Sequence, residues 1–152
     1  MQTPPPSDLT SHLGYWLRYV SNHVSHAFAL KMESREVTVA EWVVLRELYD
    51  ADAIAPSRLA EKLGMTRGAI TKLADRLIAK SLAAREASLK DGRAQTLALT
   101  PQGRGLVPEL AALADENDAD FFGHLKPRDR AFVERVLKDI VERRGFSSVP
   151  VG

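Results

Sequence analysis

The stretch Pro56-Ser57-Arg58-Leu59-Ala60-Glu61-Lys62-Leu63-Gly64-Met65-Thr66 narrows the choice of folds more than any other part of the chain. Proline suits the first turn of a helix, where its missing N–H is not needed, and glycine suits the position just past a helix end. Thr66 is then placed to cap a following helix whose buried side is Ile70, Leu73, Leu77 and Ile78. Two short helices joined across Gly64-Met65-Thr66 are the sequence form of a helix-turn-helix. After Lys80 the apolar period changes, and residues 82–88 and 96–99 read as two short strands around Lys90-Asp91-Gly92-Arg93. Asp-Gly is a good hairpin turn because both residues tolerate positive φ. A hairpin in this place is a wing.

The flanks are helical. Ser7-Asp8, after a triple proline, supplies side-chain oxygens for a helix start, and Leu9, Leu13, Trp16, Leu17, Val20, Val24 and Phe28 recur as one apolar stripe. Thr38-Val39-Ala40-Glu41 has capping-box spacing, so a second helix is expected over about 39–51, with Trp42, Leu45, Leu48 and Tyr49 on its apolar face. Thr100-Pro101 restarts helix to about 122, where Gly123 ends it, with Pro108 inside. Pro127 opens a last helix striped by Phe132, Val133, Val136, Leu137, Ile140 and Val141 and closed by Gly145. The fold class is therefore mainly α: a winged helix-turn-helix with a two-stranded wing and long N- and C-terminal helices. One domain is expected over 1–152, with dimerisation helices at about 8–35 and 101–145 around a winged lobe at about 38–100. Amphipathic outer helices need a surface to cover their stripes, and a second copy is the natural one. Packing within the chain is the plainer alternative.

Net charge is informative only when divided along the chain. Residues 56–95 carry nine basic side chains (Arg58, Lys62, Arg67, Lys72, Arg76, Lys80, Arg85, Lys90, Arg93) against four acids, a balance of +5. The remainder holds twelve basic and sixteen acidic residues, a balance of −4. A basic middle third in an otherwise acidic chain suits contact with a polyanion. Composition, at 45% apolar and 27% charged, fits a folded globular chain. No apolar run approaches a membrane span, no basic and apolar leader opens the sequence, and there is no cysteine, so a cytoplasmic location is expected and thiol chemistry is excluded.

From Arg58 to Gly103 the chain resembles the MarR family of transcriptional regulators. Asp91-Gly92-Arg93-Ala94-Gln95-Thr96-Leu97-Ala98-Leu99-Thr100-Pro101-Gln102-Gly103 matches the family's wing pattern D-x-R-x-x-x-L-x-L-T-x-x-G at each fixed position. Leu59 to Thr66, then Arg67 to Arg76-Leu77, follow at the family's spacing. Ser81 departs from it, standing where the family usually has glycine, so its backbone should be adopted at some cost. The resemblance implies a homodimer bound to a near-palindromic operator in double-stranded DNA. It also implies repression, and release by a small aromatic or anionic inducer. Activation is not separable from repression by sequence, and no cofactor is implied.

With Ile70, Leu73, Leu77 and Ile78 inward, the opposite helix face carries Arg67, Gly68, Thr71, Lys72, Asp75 and Arg76, a polar surface sized for the major groove. Arg67 and Gly68 would come nearest to base edges. Thr66, Thr71 and Lys72 would serve base or phosphate contacts, and Arg76 a phosphate or a structural partner. Arg93, at the hairpin tip, would enter the minor groove and Lys90 would meet a phosphate. The resemblance implies that Asp91 holds the Arg93 guanidinium, and a plain turn role for Asp91 is equally open. An ordinary solvated helix face is the alternative for the whole set. Candidate inducer contacts are Tyr15, Trp16, Arg18 and Tyr19 on the first helix and Trp42 and Arg46 on the second. Aromatic residues at helical spacing are also ordinary core. His12, His23, His26 and His124 lack an arranged acidic or thiol partner, so no metal site is expected. No nucleophile elbow or phosphate loop points to an enzyme. A winged-helix module that binds protein rather than DNA is the remaining alternative.

Overall fold

A computed structural model describes residues 2–87 and 95–146. The first departure from expectation comes at once. The N-terminal helix does not start at Ser7-Asp8: Leu9–Ser11 forms one 3₁₀ turn, and α1 runs Leu13–Glu33. Ser11 Oγ donates to the Asp8 carbonyl at 2.6 Å, and His12 is extended (φ −98°, ψ 129°). A serine bonding back to the main chain competes with helix propagation, which resets the start. Trp16 Nε1 ties the turn down by donating to the Thr10 carbonyl at 2.9 Å.

Helix α2 spans Val39–Tyr49 and has the capping box in full, with Glu41 N donating to Thr38 Oγ1 and Thr38 N donating to Glu41 Oε1. Helix α3 (Pro56–Leu63) opens on its proline and closes on Gly64 at φ +64°, a left-handed cap that glycine adopts without a Cβ clash. Helix α4 (Arg67–Ala79) begins at Thr66, whose side chain accepts from Ala69 N at 3.1 Å. Strands β1 (Ala83–Ala87) and β2 (Gln95–Leu99) pair antiparallel, with Ala83 opposite Leu99 and Ala87 opposite Gln95. Ile54, in the loop after α2, exchanges both backbone hydrogen bonds with Leu97 at 2.9 and 2.8 Å, so the hairpin base is stitched to the helices.

The Thr100-x-x-Gly103 element holds the hairpin's end against the next helix. Thr100 Oγ1 donates to the Ser81 carbonyl at 2.7 Å and accepts from Gly103 N at 3.1 Å, capping α5 (Pro101–Phe122). A Cβ on Gly103 would collide with the Leu82 carbonyl oxygen, so only glycine lets α5 approach. Ser81 has φ +62°, the left-handed conformation the sequence led one to expect, which disfavours a side-chain-bearing residue by about 1–2 kcal/mol.

The core gathers Val44, Leu45, Leu48, Leu59, Ile70, Leu77, Leu97, Val107 and Leu110, all essentially without solvent contact, and Met32 joins it from the end of α1. Ile78, expected to be buried, is half-buried against this core. Helix α1 lies along α5, where the buried Asn117 donates to the Val24 carbonyl and accepts from Lys31 Nζ, both at 3.2 Å. Helix α5 runs through Pro108, and α6 (Pro127–Arg144) ends on Gly145 at φ +64°. None of the α6 residues is buried.

Candidate nucleic-acid interface

Helix α4 separates its residues by face. Ile70, Leu73, Ala74 and Leu77 are buried, while Arg67, Gly68, Thr71, Lys72, Asp75 and Arg76 are exposed. Burying four apolar side chains fixes the helix on the core and leaves the polar face outward, at a diameter the major groove admits. There is no acidic residue in the first turn, so the positive helix end and its free N–H groups stand open to an anion. Thr66 is exposed, but its hydroxyl is engaged in capping, and Thr71 Oγ1 donates to the Arg67 carbonyl at 2.9 Å. Both retain acceptor capacity toward an outside donor.

Gly68 is informative. A Cβ built there meets only Thr66 Oγ1, at 4.0 Å, so packing within the chain does not call for glycine. Glycine in a helix interior disfavours the fold by about 0.5–1 kcal/mol relative to alanine, and less at the second position of a helix, where Gly68 stands. The exposed face at Gly68 is therefore open to the approach of another molecule.

Asp75 is the acidic residue on this face. Arg85, on β1, holds it at 2.7 Å, which offsets a charge that would repel phosphate. Both partners are substantially exposed, so the pair adds little stability and acts chiefly on the local field. Lys90, Asp91 and Arg93 lie outside the described residues.

A second pair was not read from the sequence. Glu41 is fully buried, and Lys80, just past the end of α4, places Nζ 3.0 Å from its Oε1 and 2.9 Å from Oε2. The same ammonium donates to the Glu36 carbonyl at 2.7 Å. Burial pushes the Glu41 carboxyl up, but Lys80 and the Thr38 hydrogen bonds together outweigh it and hold the group below its usual range. No local pattern announces a contact between residues 39 positions apart. A carboxylate at the buried N3 position of a capping box was the available signal.

The six inducer candidates are dispersed. Tyr15, Trp16 and Tyr19 form an aromatic run on α1, extended by His23 stacked on Tyr19 at 5.1 Å. Arg18 is exposed, and Trp42 packs half-buried against the core. Arg46 bonds Asp50 at 2.8 Å and lies 5.7 Å from the Tyr49 ring centre, where Arg104 also sits, at 5.4 Å. Trp16 lines an apolar cleft of about 500 Å³ between α1 and α6, with Leu17, Val20, Phe122, Val133 and Leu137. His12, His23 and His26 are exposed on or beside α1, and His124 is exposed between α5 and α6.

A capped helix pair, a polar second helix and a hairpin stitched beside it define a winged helix-turn-helix protein. The model of the MarR family matches residues 36–94. The HTH-type transcriptional repressor MdtR of Bacillus subtilis is 39% identical over 81 residues, covering 53% of this chain and 52% of that repressor, so the match spans about half its length. The HTH-type transcriptional repressor Rv2887 of Mycobacterium tuberculosis is 28% identical over 129 residues, covering 84% of this chain and 92% of its own. Among solved structures, BpsR of Bordetella bronchiseptica superposes with a TM-score of 0.76 at 26% identity, over 90% of this chain and 97% of that one. The chain is therefore similar to the MarR family over residues 36–94.

Proposed function

We propose that this protein is a homodimeric, sequence-specific transcriptional repressor that reads duplex DNA with α4 and the wing and is released by a small aromatic or anionic ligand. The exposed polar face of α4, opposite the buried Ile70, Leu73, Ala74 and Leu77, is the observation on which this reading rests. Arg67 and Gly68 approach base edges; Thr66, Thr71, Lys72 and Arg76 serve bases or phosphates; Lys90 and Arg93 extend the contact from the wing, with Asp91 orienting Arg93.

The dimer is supported by the outer helices. Leu13, Trp16, Leu17 and Val20 on α1, and Phe132, Val133, Val136, Leu137, Ile140 and Val141 on α6, are between 39% and 81% exposed. A contiguous apolar surface of this kind marks an interaction site, and a second copy of the same helices supplies the matching apolar face. Two α4 helices held about 34–36 Å apart would meet successive major grooves, which makes the operator near-palindromic. Repression is supported by the two repressors named above. BpsR, whose DNA binding is regulated by 6-hydroxynicotinic acid, supports a small aromatic acid as inducer. The apolar cleft beside Trp16 and the arginines 46 and 104 around Tyr49 are the places to look for it. A cytoplasmic location accords with this role.

The test is selection of bound duplexes from a random pool by the purified protein. Enrichment of a near-palindrome with half-sites one helical turn apart is expected. Recovery of no preferred sequence would refute the reading.

A further inference from the structure

The described chain has two non-glycine residues in the left-handed backbone region, Glu36 at φ +60° and Ser81 at φ +62°. One follows α1 and the other follows α4. Lys80 connects the two places: it immediately precedes Ser81, and its ammonium donates to the Glu36 carbonyl. The same Nζ lies against both carboxylate oxygens of the buried Glu41, which is itself fixed by Thr38 at the start of α2. Three segments, the turn after α1, the first turn of α2 and the end of α4, thus converge on one ammonium group.

Core packing already holds α4 against α2, but no comparable packing ties α4 to the turn after α1. Helices α1 and α4 make little direct contact along their lengths. Beside the tie, an open notch of about 490 Å³ is lined by Ser34, Arg35, Glu36, Lys80, Leu82 and Gln102. Glu41 Oε2 has no hydrogen-bond partner of its own and depends on the nearby Lys80 charge. A buried carboxylate held in that way admits one arrangement of its cation well and others poorly.

We infer that Lys80 is a positioning residue for DNA recognition: by joining the Glu41 carboxylate to the Glu36 carbonyl, it sets the angle at which α4 leaves the body of the protein. This rests on the DNA-binding reading above. Lys80 touches no base in this account and acts through α4.

The experiment compares the wild type with Lys80→Met, Lys80→Arg and Glu41→Gln. Each is titrated against the duplex that the wild type selects from a random pool and against a scrambled duplex, over a series of salt concentrations. Glu41→Gln keeps the acceptor for Thr38 N and the side-chain volume, so it carries the same readout should Lys80→Met fail to fold. The selected-to-scrambled affinity ratio is expected to fall about tenfold in Lys80→Met and Glu41→Gln, equivalent to one misread base pair. Affinity for the scrambled duplex and its salt slope should stay near wild type, and Lys80→Arg should recover most of the ratio. An unchanged ratio in the folded variants would overturn the proposal. So would an equal loss on both duplexes with the salt slope reduced by about one, which is the mark of a phosphate contact. A wild type that selects no duplex would instead remove the DNA-binding reading itself, and this inference with it.

A DNA-free readout is available because the chain has no cysteine. A spin label on Thr71→Cys reports the distance between the α4 helices of two copies. That distribution should broaden when Lys80→Met is added, and an unaltered one would also overturn the proposal.

Discussion

The helix-turn-helix lobe and the outer helices meet the same physical demand in opposite ways. In the lobe, helices of 8, 11 and 13 residues bury Leu45, Leu48, Leu59, Ile70 and Leu77 completely. Thr38, Thr66 and Thr100 cap helix starts within or beside it. The outer helices are longer, yet α6 buries none of its 18 residues and α1 buries one of 21, Met32. One region closes its apolar surface on itself. The other leaves it exposed, so the same hydrophobic periodicity signifies a core in one place and, in the proposed dimer, an interface in the other.

The comparison breaks most visibly if the outer surface is spoiled. Leu137→Glu places a charge in the proposed dimer contact, and an unpaired buried charge disfavours association by about 3–5 kcal/mol. The dimer dissociation constant should rise at least about a hundredfold, with the 16.8 kDa chain appearing in sedimentation velocity while the lobe's circular dichroism is retained. A wild type that already sediments as the single chain at micromolar concentration would contradict the contrast.

The lobe should fail by a different route. Gly103→Ala forces a methyl group into the Leu82 carbonyl, so the protein should lose about 1–3 kcal/mol in urea unfolding. A stability equal to wild type would mean that α5 does not need this approach.

The smallest effect sharpens the contrast within the lobe, between its packed side and its outward one. Gly68→Ala meets open space and replaces a poor helix former in the first turn of α4, so stability should rise, by less than the about 1 kcal/mol of a helix interior. Affinity for the selected duplex should nevertheless fall. Gains in both would mean that nothing approaches the backbone at Gly68.

The lobe was legible in the sequence because its signals are local. Pro56, Gly64, Thr66 and Thr100-Pro101 each act within a turn of their position: α3 begins and ends, and α4 and α5 begin, where those residues set them. The start of α1 was misread because Ser7-Asp8 has the composition of a cap, whereas Ser11 bonding back to Asp8 decides the geometry. The outward face of α4 followed from periodicity. The pairs Asp75–Arg85 and Glu41–Lys80 did not, since they join residues 10 and 39 positions apart that only the folded chain brings together. The inducer candidates were chosen by residue type, which does not report whether side chains on α1 and α2 converge.

Engagement of duplex DNA by the polar face of α4 is tested most directly by fluorescence anisotropy of a labelled selected duplex, titrated with wild type and Lys72→Ala across a salt series. Wild-type affinity should fall steeply and linearly in log–log form, and the variant should bind more weakly with a slope shallower by about one. Identical slopes and affinities would contradict a phosphate contact from α4, and absence of binding by the wild type at low salt would contradict the account as a whole.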